Sequence, residues 1–300
     1  MANANGWGDG ASNNNIGWGK GADNAIGWGS VYSVSEAGST DIIGTVPFDT
    51  DAQAFITAAA ITDPTQQVAI NTLVVDLKGY SIWTKMKALY PFIGGTASTH
   101  KFNLKDPRDL DAAYRIFWNG GVTHSANGVQ FGGVNGWGNT YYNLSANASL
   151  NSHSISFYSR TTGTSSLQCE IGASGGPFEG GSGIFARFSG LTYYRVNSQA
   201  TYSTASDADS RAFYLANRTA SNVINGWRNS TKVITGTTLS QTPLANVNYA
   251  IGSLNENGVS NYPSAKQCAF ASIGDGLTDT EASNLYTAVQ AFQVSLSRNI

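Results

Sequence analysis

The amino-acid sequence predicts a mainly β protein, a β-sandwich or jelly roll, on three observations. Charged residues make up only 12% of the chain, about half of their usual share. Their place is taken by 34 glycines, 14 tyrosines and 13 phenylalanines, together with much asparagine, serine and threonine. From about residue 96 onward, short apolar runs alternate with glycine and asparagine, the pattern of many short strands joined by turns.

Seven runs give the clearest strand signals. They span residues 154–160, 167–171, 184–188, 212–215, 223–227, 249–252 and 268–273. The dipeptides Asn225-Gly226 and Asn257-Gly258 are of the kind that forms tight turns between paired strands. This spacing of strands and turns predicts that residues 96–300 form the sandwich.

Residues 49–95 predict a helical segment in front of the sandwich. An aspartate at 49 or 51 can cap a first helix over residues 51–60. We expect the segment to link the N-terminus to the sandwich, and to pack on the sandwich or between neighbouring subunits. A trimeric stalk is the weaker alternative, because the apolar heptads are not sustained over three or four repeats.

A second helix is predicted from Pro64, which suits the first helical turn because its missing N–H costs nothing there. Thr62 or Asp63 can serve as its cap, and Gly79 marks its end. Residues 82–89 predict a third short helix, halted by a proline.

The chain closes with a predicted amphipathic helix. Thr278 and Glu281 have the spacing of a capping box, in which each side chain bonds the other's backbone N–H. Leu285, Val289 and Phe292 then recur on one face, which favours packing on the parent domain over docking on another subunit.

Residues 1–48 are predicted to form an anchor segment. The tripeptide Gly-Trp-Gly occurs three times there, centred on Trp7, Trp18 and Trp28, and no Val, Leu or Phe precedes Val31. Such a stretch cannot bury its own rings, so we expect the three tryptophans to dock on a partner.

Charge and hydropathy exclude several classes of protein. The net charge of −2 lacks the basic character that nucleic-acid binding requires. No apolar run approaches 18 residues, so we expect no membrane insertion. The polar N-terminus also lacks the apolar core of a signal peptide.

No arrangement of acidic residues predicts catalysis. Retaining glycosidases place two carboxylates about 5 Å apart, whereas Glu170, Glu179 and Glu256 are scattered between turns. Asp207 and Asp209 are the closest acidic pair after residue 120, and we expect a solvated loop pair rather than a Ca²⁺ site.

The remaining metal-binding residue types also favour structural roles. Cys169 and Cys268 are predicted to be buried free thiols, with a disulfide as the alternative. His100, His124 and His153 show no metal-ligand spacing. We therefore expect a protein that is not an enzyme and needs no cofactor or metal.

Aromatic pairs supply the candidates for sugar contact. They are Tyr141, Tyr142, Tyr193, Tyr194 and the single Trp227. Because side chains alternate along a strand, one tyrosine of each pair is expected to face the core and the other the surface.

Three segments of the chain resemble a known class of proteins. Residues Thr65–Gly94, Lys105–Ala113 and Phe270–Arg298 are similar to virion structural proteins of tailed bacteriophages, common in phages and prophages of Bacteroidetes, including crAss-like phages. The resemblance extends over residues 49–300. It implies a concanavalin A-like (laminin-G-like) jelly roll, preceded by a short helical segment and followed by a C-terminal helix.

The same resemblance implies a tail or head fibre subunit, made in the bacterial host cytoplasm and located in the virion. Its N-terminus would attach to the head, collar or tail, its chains would form a homotrimer, and its jelly roll would face host surface glycans. Two alternatives stay open: a capsid decoration protein without a receptor, and a glycan depolymerase on the same fold.

Overall fold

The fold of Phe48–Ile300 is given by a computed structural model. The described residues are 47–162, 166–176, 178–199 and 202–300. The predicted anchors Trp7, Trp18 and Trp28 lie outside them.

Helices lie near both ends of the described chain. Five α-helices occur within the described ranges: α1 (Thr50–Ala58), α2 (Pro64–Gly79), α3 (Ala97–His100), α4 (Leu144–Asn147) and α5 (Asp279–Ser295). A 3-10 turn spans Asp111–Ala113. No helix in this part of the protein combines the length and the apolar character needed to cross a membrane.

Strands hold more of the described residues than helices do. They are β1 (Met86–Tyr90), β2 (Phe117–Asn119), β3 (Val122–Ser125), β4 (Gly128–Phe131), β5 (Trp137–Asn143), β6 (His153–Ser159), β7 (Ile171–Ser174), β8 (Gly181–Phe188), β9 (Leu191–Ser198), β10 (Ser203–Ser206), β11 (Ala212–Ala220), β12 (Val223–Arg228), β13 (Thr231–Gly236), β14 (Asn248–Ile251), β15 (Leu254–Glu256), β16 (Val259–Asn261) and β17 (Gln267–Gly274).

The strands form two sheets, which have eight and nine strands within the described residues. The first sheet runs β13-β12-β11-β6-β17-β4-β3, with β1 also paired to β17. The second runs β10-β9-β8-β7-β14-β5-β2, with β15 and β16 attached beside β7. The pairings are antiparallel except for β15 on β7. The predicted class, a mainly β sandwich of the jelly-roll type, is confirmed.

The core between the two sheets is apolar and fully enclosed. Ile184 and Tyr194 from the nine-stranded sheet meet Ile155, Phe157 and Tyr214 from the eight-stranded sheet in one buried cluster. Burying such side chains removes large apolar areas from water, which is the main force that holds the sheets together.

Helices α1, α2 and α5 cover the outer face of the eight-stranded sheet. Leu77 of α2 and Val289 of α5 share a buried cluster with Phe213, Trp227 and Phe270 of that sheet. The helical segment therefore packs on the sandwich, as expected. Asp63 caps α2, and Thr278 and Glu281 form the predicted capping box of α5.

The helix predicted over residues 82–89 is wrong, because residues 86–90 form strand β1. Ala88 and Tyr90 face the sandwich core, whereas Met86 and Leu89 face the helical layer. A strand that is apolar on both faces shows no alternation, so its short run cannot be told from a buried helix by pattern alone.

Two further predictions differ from the structure. The run at 167–171 precedes its strand, which begins only at Ile171. Asn225-Gly226 lies inside β12 rather than in a turn, paired with Asn217 and Ala216. Asn257-Gly258 does form the turn between β15 and β16, and both residues have positive φ.

Both cysteines are free and buried. Burial raises the pKa of each thiol well above its usual value, so both stay protonated at neutral pH. The prediction of two buried free thiols is confirmed.

Candidate functional site

The outer face of the nine-stranded sheet carries concave surfaces rich in aromatic and amide groups. Strand alternation creates this face: on β9, Tyr194 points into the core and Tyr193 points outward. On β5, half-buried Trp137 and Asn139 alternate with residues that are fully enclosed. No helix of the α1, α2 and α5 layer covers this face, since those three helices pack against the other sheet.

An aromatic pocket occupies one end of the face. Its lining residues are Leu167, Phe185, Phe188, Tyr193, Tyr202 and Tyr262. Phe185 and Tyr202 meet edge to face, with ring centroids 5.4 Å apart, and Tyr193 approaches Tyr202 at 6.1 Å. Such packing holds the rings in fixed orientations. Tyr262 is 40% exposed and leaves much of its ring open to a ligand.

A central pocket adjoins the aromatic pocket. It is lined by Ser174, Gly175, Gly176, Arg195, Tyr202, Leu254, Glu256, Asn257 and Tyr262. The Arg195 guanidinium lies 5.6 Å from the Tyr202 ring centroid and donates to Ser174 Oγ at 3.1 Å. Burial raises the pKa of Tyr202, so its hydroxyl keeps its proton at neutral pH and can donate a hydrogen bond.

An asparagine cleft of about 490 Å³ follows the central pocket. Its lining residues are Trp137, Asn139, Asn143, Asn246, Val247, Asn248, Asn255, Asn257 and Gly258. Asn143 Nδ2 donates to Asn246 Oδ1 at 3.0 Å, which fixes both amides. None of these lining residues carries a charge, so the cleft offers neutral donors and acceptors together with one indole.

The three concavities adjoin through shared residues. Tyr202 and Tyr262 line both the aromatic and the central pocket, and Asn257 lines both the central pocket and the asparagine cleft. We call the resulting track the sheet groove. It combines apolar rings with convergent polar groups, the composition typical of small-molecule and glycan sites.

The five aromatic residues that the sequence predicted for sugar contact lie in different parts of the structure. Tyr142 and Tyr194 are buried in the core between the sheets, and Trp227 is buried beneath the helical layer. Their rings therefore present no face to an external ligand. Tyr193 lines the aromatic pocket, whereas Tyr141 is half-buried on β5 outside the linings of the three concavities.

Asp207 is neither solvated nor placed to bind Ca²⁺. Its buried carboxylate accepts hydrogen bonds from Thr192 Oγ1 at 2.6 Å and Tyr214 Oη at 2.5 Å, and it pairs with Arg228. The expected solvated pair is therefore wrong for Asp207. The described residues contain no group of three side chains suited to hold a metal ion.

Sequence reasoning missed most of the groove. Phe185, Arg195 and Tyr202 come together only through strand pairing, since they lie on β8, on β9 and before β10. Tyr262 lies in the loop after β16, far along the chain from the other three residues. One signal was readable in the sequence: Trp137, Asn139 and Asn143 are an even number of residues apart, which on a strand places their side chains on one face.

Fold and groove together define a two-sheet β-sandwich with an aromatic and amide-lined outer face. No protein-family model and no curated protein matches this chain.

Several solved structures are similar to it at low identity. A sialidase carbohydrate-binding module (CBM40) of Ruminococcus gnavus, bound to α2,6-sialyllactose, is 15% identical, with TM-score 0.36; the match covers 49% of this chain and 91% of the module. Domain 4 of the arabinanase AbnA of Geobacillus stearothermophilus, in complex with arabinotriose, is 14% identical, with TM-score 0.42; coverage is 67% of this chain and 98% of the domain. A Trypanosoma rangeli sialidase is 10% identical, with TM-score 0.49, and the match covers 73% of this chain and 39% of the enzyme.

Proposed function

We propose that this sandwich is a non-catalytic glycan-binding domain of a phage virion appendage, and that the sheet groove is its binding surface. The observation that carries the proposal is the continuous track of oriented rings and neutral amides on the outer face of the nine-stranded sheet. Exposed tyrosine and tryptophan faces pack on the apolar faces of sugars, and amides pair with their hydroxyls.

The polar groups of the groove support this reading. Asn248 and Asn257 make no side-chain hydrogen bond to any residue that the structure describes, so their amides are open to a ligand. Asn255, by contrast, is fixed, since its Nδ2 donates to the Asn248 carbonyl at 2.9 Å. A rigid frame with open amides is pre-organised for hydroxyl groups and loses little entropy on binding.

The test is binding to a printed array of neutral and acidic oligosaccharides, followed by calorimetric titration of the best ligand. Tyr262→Ala and Asn248→Ala should each weaken affinity about tenfold, the effect of losing about 1.4 kcal/mol. Tyr286→Ala is the matched control, because Tyr286 lies on α5 against the opposite sheet.

Two results would refute the proposal. Unchanged binding by the Tyr193→Ala/Tyr262→Ala double variant would place the ligand outside the groove. Release of reducing ends from the bound oligosaccharide would show that the domain is an enzyme.

The virion role rests on the resemblance of residues 65–94, 105–113 and 270–298 to phage structural proteins. We propose that Trp7, Trp18 and Trp28 attach the chain, as a homotrimer, to a head, collar or tail protein. Deleting residues 1–30 should abolish incorporation into particles, scored by immunogold labelling. Fully decorated particles from the deletion mutant would refute the anchor, while leaving the glycan site untouched.

A further inference from the structure

A buried cluster of reactive groups is formed by residues that do not line the sheet groove. The side chains of Lys266 and Glu170 are both 0% exposed, and Lys266 Nζ lies 2.7 Å from Glu170 Oε1. The same Nζ lies 3.3 Å from the amide oxygen of Gln168, which is 8% exposed. An amine, an amide and a carboxyl group thus meet in an enclosed site.

We propose that Lys266 and Gln168 form an intramolecular isopeptide bond, with Glu170 carrying the protons. The proposal is independent of the glycan site. It assigns to this cluster a covalent self-modification, in which the lysine amine replaces the side-chain amide nitrogen of Gln168.

The neighbouring backbone and hydroxyl groups favour this reaction. The Ala265 N–H donates to Gln168 Oε1 at 3.3 Å, on the atom where negative charge develops during attack. Ser264 Oγ donates to Glu170 Oε2 at 2.5 Å and fixes the orientation of the carboxyl group. Holding the amine and the amide in contact range makes the step effectively unimolecular.

The reaction begins with proton transfer from the Lys266 ammonium to Glu170 across their hydrogen bond. The electron pair of the neutral amine then forms a bond to Gln168 Cδ, and the carbonyl π pair moves onto Oε1. Glu170 gives its proton to Nε2 and takes one from Nζ. The Cδ–Nε2 bond breaks with its electron pair, so ammonia leaves and a secondary amide and a protonated Glu170 remain.

Burial favours the product. The starting pair holds two charges in a site without solvent, where desolvation opposes their mutual attraction. The products are a neutral amide and a neutral carboxylic acid, which cost much less to enclose when hydrogen-bonded.

The bond would also join the two sheets. Gln168 precedes β7 of the nine-stranded sheet, and Lys266 directly precedes β17 of the eight-stranded sheet. The cross-link would therefore close the sandwich covalently over a sequence separation of 98 residues. A chain exposed to mechanical load would keep its two sheets together even when their hydrogen bonds fail.

The test is intact-mass measurement of the purified full-length wild-type protein, with peptide mapping after proteolysis. We expect a mass one ammonia below that of the sequence, and a branched peptide that joins Gln168 to Lys266. Lys266→Met and Gln168→Leu should both show the full mass of their sequences. Lys85→Met is the matched control and should keep the ammonia loss, because Lys85 pairs with Glu281 at a partly exposed site.

Three results would overturn the proposal. A wild-type mass equal to that of the sequence would show that no bond forms. Loss of water instead of ammonia would show that Glu170, not Gln168, is the acyl partner. A Glu170→Gln variant that folds, by circular dichroism, and still loses ammonia between Gln168 and Lys266 would remove Glu170 from the mechanism.

Discussion

Arg298 is predicted to be a major anchor of the C-terminal segment. It is 1% exposed, and its guanidinium donates to the backbone carbonyls of Phe92 at 2.7 Å, Pro91 at 3.0 Å and Ala269 at 3.0 Å. Burial lowers its pKa to about 9, still above neutral, so the side chain enters these bonds as a cation. Charge-assisted bonds of this kind are stronger than neutral ones.

The perturbation is Arg298→Met, which keeps most of the side-chain stem and removes every donor. Three enclosed carbonyls then lose the Arg298 donors, although that of Ala269 keeps Gln293 Nε2 at 3.4 Å; a carbonyl left without a donor costs about 1–3 kcal/mol before relaxation. We expect the free energy of unfolding to fall by about 3–5 kcal/mol, the range seen when a buried charged interaction is broken. In a domain of this size that corresponds to roughly 6–20 °C in Tm.

The assay is urea unfolding followed by tryptophan fluorescence. Arg108→Met is the matched control: Arg108 is 64% exposed and pairs with Asp106 at the surface, so its loss should leave the free energy of unfolding close to that of the wild type. The result that would refute this reasoning is a free energy of unfolding of Arg298→Met within about 1 kcal/mol of the wild-type value, with an unchanged slope m against urea concentration. The carbonyl cluster would then contribute little to stability.

Two further predictions concern pH and backbone strain. Burial lowers the pKa of His100 and His153 to about 3. Between about pH 6.5 and pH 3 these two side chains therefore take up protons in the unfolded chain but not in the folded one. Each histidine should lower the free energy of unfolding by about 2 kcal/mol at pH 5. His153→Gln should remove about half of the combined loss from the two histidines, when the free energies of unfolding from urea titrations at pH 7 and pH 5 are compared. Gly128→Ala should destabilise by at least about 2 kcal/mol, because its φ is +112° and a Cβ would lie 2.1 Å from the Cys268 carbonyl oxygen. Gly79→Ala, with nothing within 4 Å of the added carbon, should be neutral or slightly stabilising in the same thermal melt.

Local signals predicted the three longer helices, α1, α2 and α5. The N-cap Asp63 with Pro64, and the capping box of Thr278 and Glu281, depend only on residues within one helical turn. Strand β1 was read as a helix because both of its faces are buried, one against each apolar layer. Its environment is set by strand β17, far along the chain, and no local pattern reports that.

The candidate site was predicted only in part. Alternation along a strand predicted that one tyrosine of each pair faces outward, and the structure shows that Tyr193 is the outward one of its pair. Trp227 was chosen on its residue type, yet the helical layer buries it. Whether a ring on a sheet face is open or covered depends on what packs there, which is a property of the whole fold.

The sequence by itself determined the class of fold and the caps of the main helices, because composition, alternation and capping act over a few residues. Only the tertiary structure decided which sheet face is covered by helices and which remains open. It also brought Tyr202 and Tyr262 to one pocket, and Gln168 and Lys266 to one buried cluster. These pairs are separated by many residues, so their meeting depends on strand order and sheet packing, which carry no local signature in the chain.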